Sequence, residues 1–259
     1  MQGFAGPPGP SSLLGVSCPS SSFCMAVGNY SPSGAGQLPL VFTYNGSTWT
    51  QQTVPLASGT AALDGVSCTS STFCMTVGEF TSADRIAAWS WNGSSFTVQH
   101  TGSGFFPADL TSVSCTSSTF CAAVGYSGLL GNASIVEPFA ELYNGSSWSG
   151  PAVPIPASSH NSLLTGVSCL TTSDCQAVGF YFDSLNGSHT FAESWGGSSW
   201  SERPAPPTPT ALFPNQGGPV SCPTTSSCWA SRRLQPRNHQ PAGARRLLER
   251  IELAVRARS

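Results

Sequence analysis

The sequence is poor in charge and contains no lysine. Charged residues make up 8% of the 259 residues, against about 25% in an average soluble domain. So little charge excludes a salt-bridged helical bundle and a coiled coil, and it argues against a partner that is a nucleic acid. No apolar run reaches the roughly 18 residues that a membrane-spanning helix needs, so we expect no transmembrane segment.

Cysteine, by contrast, is abundant and regularly placed. The ten cysteines form five pairs with C-x5-C spacing: Cys18 and Cys24, Cys68 and Cys74, Cys115 and Cys121, Cys169 and Cys175, Cys222 and Cys228. Successive pairs are about 50 residues apart, and the surrounding text repeats, as in LDGVSCTSSTFCMTVGEF and LTSVSCTSSTFCAAVGYS. Self-similarity at this period indicates an array of supersecondary units.

Each repeat reads as four short strands. Two apolar segments, VSC and C-x-AVG, flank a polar loop of five residues and predict a hairpin. A third apolar stretch ends at Asn-Gly or Gly-Gly, which predicts a second hairpin with a type I′ turn. The predicted fold is therefore all-β: a β-propeller-like array of four-stranded antiparallel blades of about 50 residues, four full and one partial. A β-sandwich array and a β-helix are the alternatives.

Three segments differ in composition. Residues 1–12 form a lead-in, residues 13–231 hold the repeats, and residues 232–259 form a basic tail. The first two together carry two Arg against ten Asp and Glu, a net charge of −8, whereas the tail carries eight Arg and two Glu, a net charge of +6. We expect a non-propeller tail, either read from a shifted frame, or a linker, or a basic amphipathic helix with Ala244, Leu248, Ile251 and Val255 on one face.

The cysteine pairs predict disulfide bonds and a compartment. Two cysteines that flank a five-residue loop lie across a hairpin, within disulfide range. Half of a zinc site and free thiols are the alternatives, but zinc prefers four ligands from closely spaced pairs. Since disulfides persist in oxidising compartments, we expect a secreted or cell-surface protein. Residues 1–12 do not read as a signal peptide. Either the chain is a fragment of a longer secreted protein or its true start lies upstream, and the first repeat, which begins near Leu13, favours the fragment.

The order of these motifs resembles secreted bacterial β-propeller repeats. From Leu13 to about Ser231 it is similar in layout to the Asp-box propellers of the sialidase type and, less closely, to kelch repeats. The Asp-box pattern S-x-D-x-G-x-T-W is matched in part by Thr43, Asn45, Gly46, Thr48 and Trp49. In that family the box is a structural turn, so the resemblance implies a fold and no catalytic residue.

Function is less clearly marked. No catalytic, metal or cofactor motif stands in the sequence, and the carboxylates of the repeats are isolated in it, so we expect neither a cofactor nor a metal. The leading hypothesis is a non-catalytic extracellular propeller, a monomer, that binds a glycan, a cell-wall polymer or a protein. The alternative is a propeller-type glycoside hydrolase or polysaccharide lyase.

Loops between the second and third strands vary in length, and variable loops on a constant scaffold are where binding sites are usually built. They are residues 29–37, 79–85, 126–138 and 180–189. We expect them on one face, with Tyr30, Phe80, Tyr126, Phe180 and Tyr181 as candidate contacts. The alternative is that these loops only tolerate insertion. Trp89 is a further candidate, as an exposed ligand platform, because it is out of phase with the repeated aromatics Trp49, Phe96, Trp148 and Trp200.

Overall fold

The computed structural model of the protein describes residues 7, 9–32, 36–56, 59–81, 85–99, 107–129, 132–185, 187–203, 216–224, 227–233 and 248–254. Within these ranges the regular elements are β-strands. A search of the same residues found no helix able to cross a membrane.

The strands form five antiparallel sheets, each made of strands consecutive in sequence. Sheet 1 contains β1 (Ser11–Ser20), β2 (Phe23–Tyr30), β3 (Leu38–Tyr44) and β4 (Trp49–Gln52). Sheet 2 contains β5 (Ala62–Ser70), β6 (Phe73–Phe80), β7 (Arg85–Trp91) and β8 (Phe96–Gln99). Sheet 3 contains β9 (Ala108–Ser117), β10 (Phe120–Leu129), β11 (Asn132–Tyr143) and β12 (Trp148–Ser149).

The last two sheets follow the same order. Sheet 4 contains β13 (Ser159–Thr171), β14 (Asp174–Asp183), β15 (Ser188–Trp195) and β16 (Trp200–Arg203). Sheet 5 contains β17 (Gln216–Thr224), β18 (Ser227–Arg233) and β19 (Leu248–Ala254). Four sheets of four strands and one of three confirm the predicted four full blades and one partial blade.

The sheets pack against one another in chain order, with their first strands as neighbours: β1 beside β5, β5 beside β9, β9 beside β13, and β13 beside β17. Sheets that meet along their first strands are the blades of a propeller. The predicted β-propeller-like array is thus confirmed, and a sandwich array and a β-helix are excluded for the described repeats.

The core lies in the gaps between successive sheets. In the first gap, between sheets 1 and 2, Met25 and Val41 pack against Leu63 and Trp89. Equivalent apolar clusters fill the second, third and fourth gaps. Because each middle sheet has a neighbour on both sides, the second strand is apolar without alternation, as in the wholly buried run of residues 74–78 in β6.

A serine hydroxyl fastens each first strand to the next one. The hydroxyl of Ser17 accepts a hydrogen bond from the backbone N–H of Cys68, at 2.9 Å. The same serine link joins Ser67 to Cys115, Ser114 to Cys169 and Ser168 to Cys222, at 2.9, 2.9 and 3.1 Å. Each VSC motif therefore supplies the acceptor for the following repeat and the donor for the preceding one.

All five predicted disulfides are present. Each joins two cysteines six residues apart across the first hairpin of a sheet, with Cα–Cα distances of 3.9 to 4.1 Å. All ten cysteines are thereby paired, which excludes the zinc and free-thiol alternatives for them.

The second hairpin is confirmed, but its predicted turn type is wrong. The loop has four residues, closed in sheet 1 by the backbone N–H of Asn45 donating to the carbonyl of Thr48 at 3.2 Å. Only the glycine has a positive φ, as at Gly46 (92°). The Asn45 side-chain oxygen accepts from the N–H groups of Ser47 and Thr48, so this residue acts as an Asx cap and not as the first residue of a type I′ turn.

The fifth sheet includes residues that the sequence assigned to the tail. Strand β18 continues past Ser231 to Arg233, and Leu248–Ala254 pairs with it as β19. Leu248 and Ile251 thus lie in a strand, where hydrogen bonds to β18 satisfy the backbone, and the helical alternative is wrong for this part. The other tail residues lie outside the described residues.

Candidate functional site

One end of the propeller collects the turns between second and third strands. The four complete sheets are antiparallel ladders of consecutive strands, and the serine links hold their first strands side by side in the same direction. The turns between second and third strands therefore lie at a common end, which we call the upper face. The disulfide hairpins and the four-residue turns lie at the opposite, lower face.

The variable segments of sheets 3 and 4 are shorter loops than predicted. Strand pairing continues into them, from Tyr126 opposite Pro138 to Gly128 opposite Val136, and from Phe180 opposite Thr190 to Phe182 opposite Ser188. Aromatic and β-branched side chains favour this extension of the ladder. The turn positions 33–35, 82–84, 130–131 and 186 lie outside the described residues.

Four of the predicted aromatic contacts are partly exposed near the upper face: Tyr30, Phe80, Tyr126 and Tyr181. Phe180 is 8% exposed and lies in the core, so its predicted role as a surface contact is wrong. Adjacent residues of a strand face opposite sides, and Tyr181 is the neighbour that remains accessible.

The prediction that Trp89 is an exposed platform is also wrong. Trp89 is 0% exposed, its ring contacts that of Phe80 at 5.3 Å, and its indole N–H donates to the carbonyl of Pro55 at 2.8 Å. The indole is out of phase with the other repeated aromatics because it fills the first gap and lies against the segment that connects sheets 1 and 2.

Sheet 4 presents a hydrogen-bonded polar group at the upper face. Asp183 Oδ1 accepts from the N–H groups of Leu185 and Gly187, both at 2.8 Å, and Oδ2 lies 2.8 Å from His189 Nε2. The hydrogen bond to His189, followed by that from Gly187, lowers the pKa of Asp183. The His189 ring stacks on Tyr181 with centroids 5.0 Å apart, so the turn holds an aromatic pair in place.

Three carboxyl groups influence one another where sheets 2 and 3 meet. Burial, followed by the charges of Asp64 and Glu79, raises the pKa of Asp109 to about 8, against a hydrogen bond from the Leu110 backbone that lowers it. Burial raises the pKa of Asp64 to about 6. Asp64 and Asp109 begin neighbouring first strands, so they belong to the upper end of the gap.

Sequence reasoning treated these carboxylates as isolated. They are 45 positions apart in the chain, and only the side-by-side packing of β5 and β9 brings them together. The two residues do not share a phase, since Asp64 directly follows the repeated leucine Leu63 and Asp109 directly precedes Leu110, so the repeat pattern gave no signal of their proximity. Among the described residues, no group of three or more His, Cys, Asp or Glu side chains is arranged to hold a metal ion.

Two further carboxylates are buried within the gaps. Glu141 and Glu193 are 1% and 0% exposed, and they occupy the strand position of Trp89 in sheet 2 and Phe42 in sheet 1. Burial, followed by the charge of Glu202, raises the pKa of Glu193 to about 8. The two glutamates therefore occupy the same position in successive repeats.

Comparisons with solved structures return propellers. SapL1 lectin in complex with alpha methyl fucoside aligns with a TM-score of 0.58 at 10% identity, over 95% of this chain and 79% of that one. Aleuria aurantia lectin, a fungal lectin with a six-bladed β-propeller fold, aligns with a TM-score of 0.56 at 11% identity, over 87% and 72%. YCF48 bound to D1 peptide aligns with a TM-score of 0.50 at 11% identity, over 90% and 65%.

The chain has a β-propeller fold. At such low identity the likeness concerns the fold alone. No family model matches the chain, and no curated protein matches it in sequence.

Proposed function

We propose that the protein is an extracellular, non-catalytic β-propeller that binds carbohydrate through its upper face. The observation that carries the proposal is the Tyr181–His189 pair, held by Asp183 at the end of the extended β14–β15 hairpin. An accessible tyrosine ring beside hydrogen-bonding groups offers an apolar face and polar edges, which suits a neutral polyhydroxylated ligand.

Two independent features support this proposal. Five disulfides are typical of proteins in oxidising compartments, which supports an extracellular location. Two structures with the same fold are lectins, one of them in complex with alpha methyl fucoside. The resemblance to bacterial, Asp-box and kelch propellers, and the monomeric state, remain predictions.

The test is a glycan array followed by calorimetric titration of the strongest glycan found. We expect Tyr181→Ala to weaken binding at least tenfold, because a buried aromatic contact contributes one or more kcal/mol. The matched control is Leu185→Ala, which removes an 88% exposed side chain from the same turn. Equal binding by both variants, or no glycan bound by the protein, contradicts the proposal.

A second candidate function, carbohydrate hydrolysis, rests on the pKa values of Asp109 and Asp64. Two neighbouring carboxyl groups that ionise at different pH can act as general acid and base. Polysaccharide cleavage that disappears in Asp109→Asn and persists in Asp174→Asn would favour this candidate over the binding module.

A further inference from the structure

The third gap, between sheets 3 and 4, contains buried polar atoms without protein partners. Glu193 is 0% exposed, and neither of its carboxylate oxygens has a hydrogen-bond partner among the residues that the structure describes. Trp200 is 4% exposed, and within the same residues its indole nitrogen has no partner either. Leaving a buried polar group unpaired costs on the order of 1–3 kcal/mol, more for a charged one, so three such atoms at one place require an explanation.

These atoms belong to one face of sheet 4. Glu193 on β15 pairs with Glu202 on β16, and Trp195 pairs with Trp200, so Glu193 and Trp200 are diagonal neighbours. Diagonal positions are roughly 7–8 Å apart, within reach of long and aromatic side chains. Trp195 and Trp200 pack against sheet 3, and Glu193, two residues before Trp195 on β15, faces the same gap.

The first gap shows what the same position looks like when it is filled. There the residue equivalent to Glu193 is Trp89, whose indole N–H is satisfied by the Pro55 carbonyl. The facing sheet contributes Met25 and Val41 to the first gap and, at the equivalent positions, Ala122 and Ala140 to the third. Three smaller side chains replace three larger ones, so the third gap has less apolar filling where its polar atoms are unpaired.

The chemistry of the unpaired atoms defines what fits there. The indole offers one donor, and the carboxylate offers two acceptors. A hydroxyl group donates and accepts through one oxygen, and two adjacent hydroxyls can reach both carboxylate oxygens at once. An ammonium ion would leave the indole N–H unpaired, and an anion would be repelled by the ionised form of Glu193.

We propose that the third gap is a binding site for a vicinal diol of a monosaccharide, held by Glu193 and Trp200. This inference rests on the proposed carbohydrate function and places a site in the blades, separate from the Tyr181–His189 pair. Entry requires movement of the connector 150–156, where Val153 packs on the same cluster and Ile155 is 48% exposed.

Binding should then depend on pH. Sheet 3 packs apolar side chains into the gap, among them Ala122, Val124 and Ala140, together with the uncharged hydroxyls of Ser112 and Ser114, which accept from the backbone of sheet 4. The charge that acts on Glu193 is that of Glu202. The Arg203 guanidinium donates a hydrogen bond to the Ser194 hydroxyl. The Ser194 side chain lies on the face of β15 opposite to Glu193. Hydroxyl donors favour the ionised carboxylate, so affinity should rise by up to about tenfold per pH unit until the pKa of Glu193, about 8, and then level off.

The experiment is a titration of the full chain with methyl α-fucoside, followed through the indole N–H resonances in ¹H–¹⁵N spectra. The Trp200 resonance should move with saturation. The resonances of Trp195 and Trp91 are internal references, because their indole groups already donate to the carbonyls of Thr172 and Ser71. Glu193→Gln should weaken binding at least tenfold and abolish its pH dependence, and the control Glu202→Gln should retain binding.

A second variant covers the case in which Glu193→Gln does not fold. Trp200→Phe removes the donor together with part of the ring and leaves Glu193 unchanged, so it should weaken binding while keeping the pH dependence. The inference is overturned if the fucoside does not bind saturably, if it binds without moving the Trp200 resonance, or if Glu193→Gln binds as well as the unchanged protein. These outcomes are distinct from failure of the proposed function, which is that no glycan on the array is bound or that Tyr181→Ala and Leu185→Ala bind equally well.

Discussion

The first and third gaps have the same framework and different fillings. In both, a repeated leucine, Leu63 or Leu164, is 0% exposed beside the first strands, and a serine link joins the two sheets. The outer parts differ, because Trp89 fills the first gap and Glu193 lies in the third. The inner strands thus hold the blades in register, and the third and fourth strands are free to vary in polarity.

The largest change in stability should follow from Trp89→Glu, which places in the first gap the residue that the third gap has at the equivalent position. Trp89→Glu removes a fully buried indole and places a carboxyl among Met25, Val41 and Leu63, where no room or partner is provided. We expect unfolding in urea to require about 3–5 kcal/mol less free energy. Trp89→Phe, which keeps the apolar surface, should lose less; equal losses would mean that polarity is not what distinguishes the gaps.

In the third gap, the buried carboxyl of Glu193 should make the stability of the protein depend on pH. Its folded-state pKa is raised from 4.5 to about 8, so the folded state binds the proton more tightly than the unfolded state. Stability should be greatest below about pH 4.5, fall as pH rises to about 8, and then stay constant. Glu193→Gln should remove this fall and be roughly 2–4 kcal/mol more stable than the unchanged protein at about pH 9, measured by urea unfolding at several pH values. A fall of the same size in the variant would contradict the assignment.

Removing the serine link should destabilise the protein equally in the first and third gaps. Ser17→Ala and Ser114→Ala each remove the acceptor of a serine link and leave a Cys N–H without it. A loss of about 1 kcal/mol is expected in both, since the hydrogen bond is uncharged. Thermal melts of the two variants should agree with each other; a clear difference would show that the framework is not equivalent between gaps.

The smallest effect is expected at the first sheet. Val16 is 64% exposed, whereas its equivalents Val113 and Val167 are 7% and 5% exposed because a preceding sheet covers them. Val16→Ala should therefore change stability by no more than about 0.5 kcal/mol, whereas Val167→Ala should cost more than 1 kcal/mol. Equal losses in chemical denaturation would show that Val16 is covered in solution.

The features that could be predicted from the sequence are those formed within a single repeat. The C-x5-C hairpin needs only a five-residue loop and two apolar segments, so the disulfides and the strands around them can be predicted from the local sequence. The type I′ turn was wrong because the Asn45 side chain competes for backbone N–H groups, an interaction that the dipeptide Asn-Gly alone does not reveal.

Two features at the candidate sites depend on contacts between repeats. The burial of Trp89 depends on Pro55 in the preceding connector, and the raised pKa of Asp109 depends on Asp64 in the preceding repeat. Strand β19 could not be found by phase, because the repeated pattern is lost after Ser231. The burial of Trp89 and the pKa of Asp109 are thus set by neighbours outside the repeat in which each residue stands, whereas β19 pairs within its own sheet.

The serine links have a consequence for how such a chain can change in length. Each VSC motif presents an acceptor to the following sheet and a donor to the preceding one, so every junction uses the same pair of groups. Duplicating or deleting one whole repeat would leave each remaining junction with both of its partners. The polypeptide is in this sense a polymer of interchangeable units, in which gene-level gain or loss of a repeat requires no compensating change elsewhere along the inner strands.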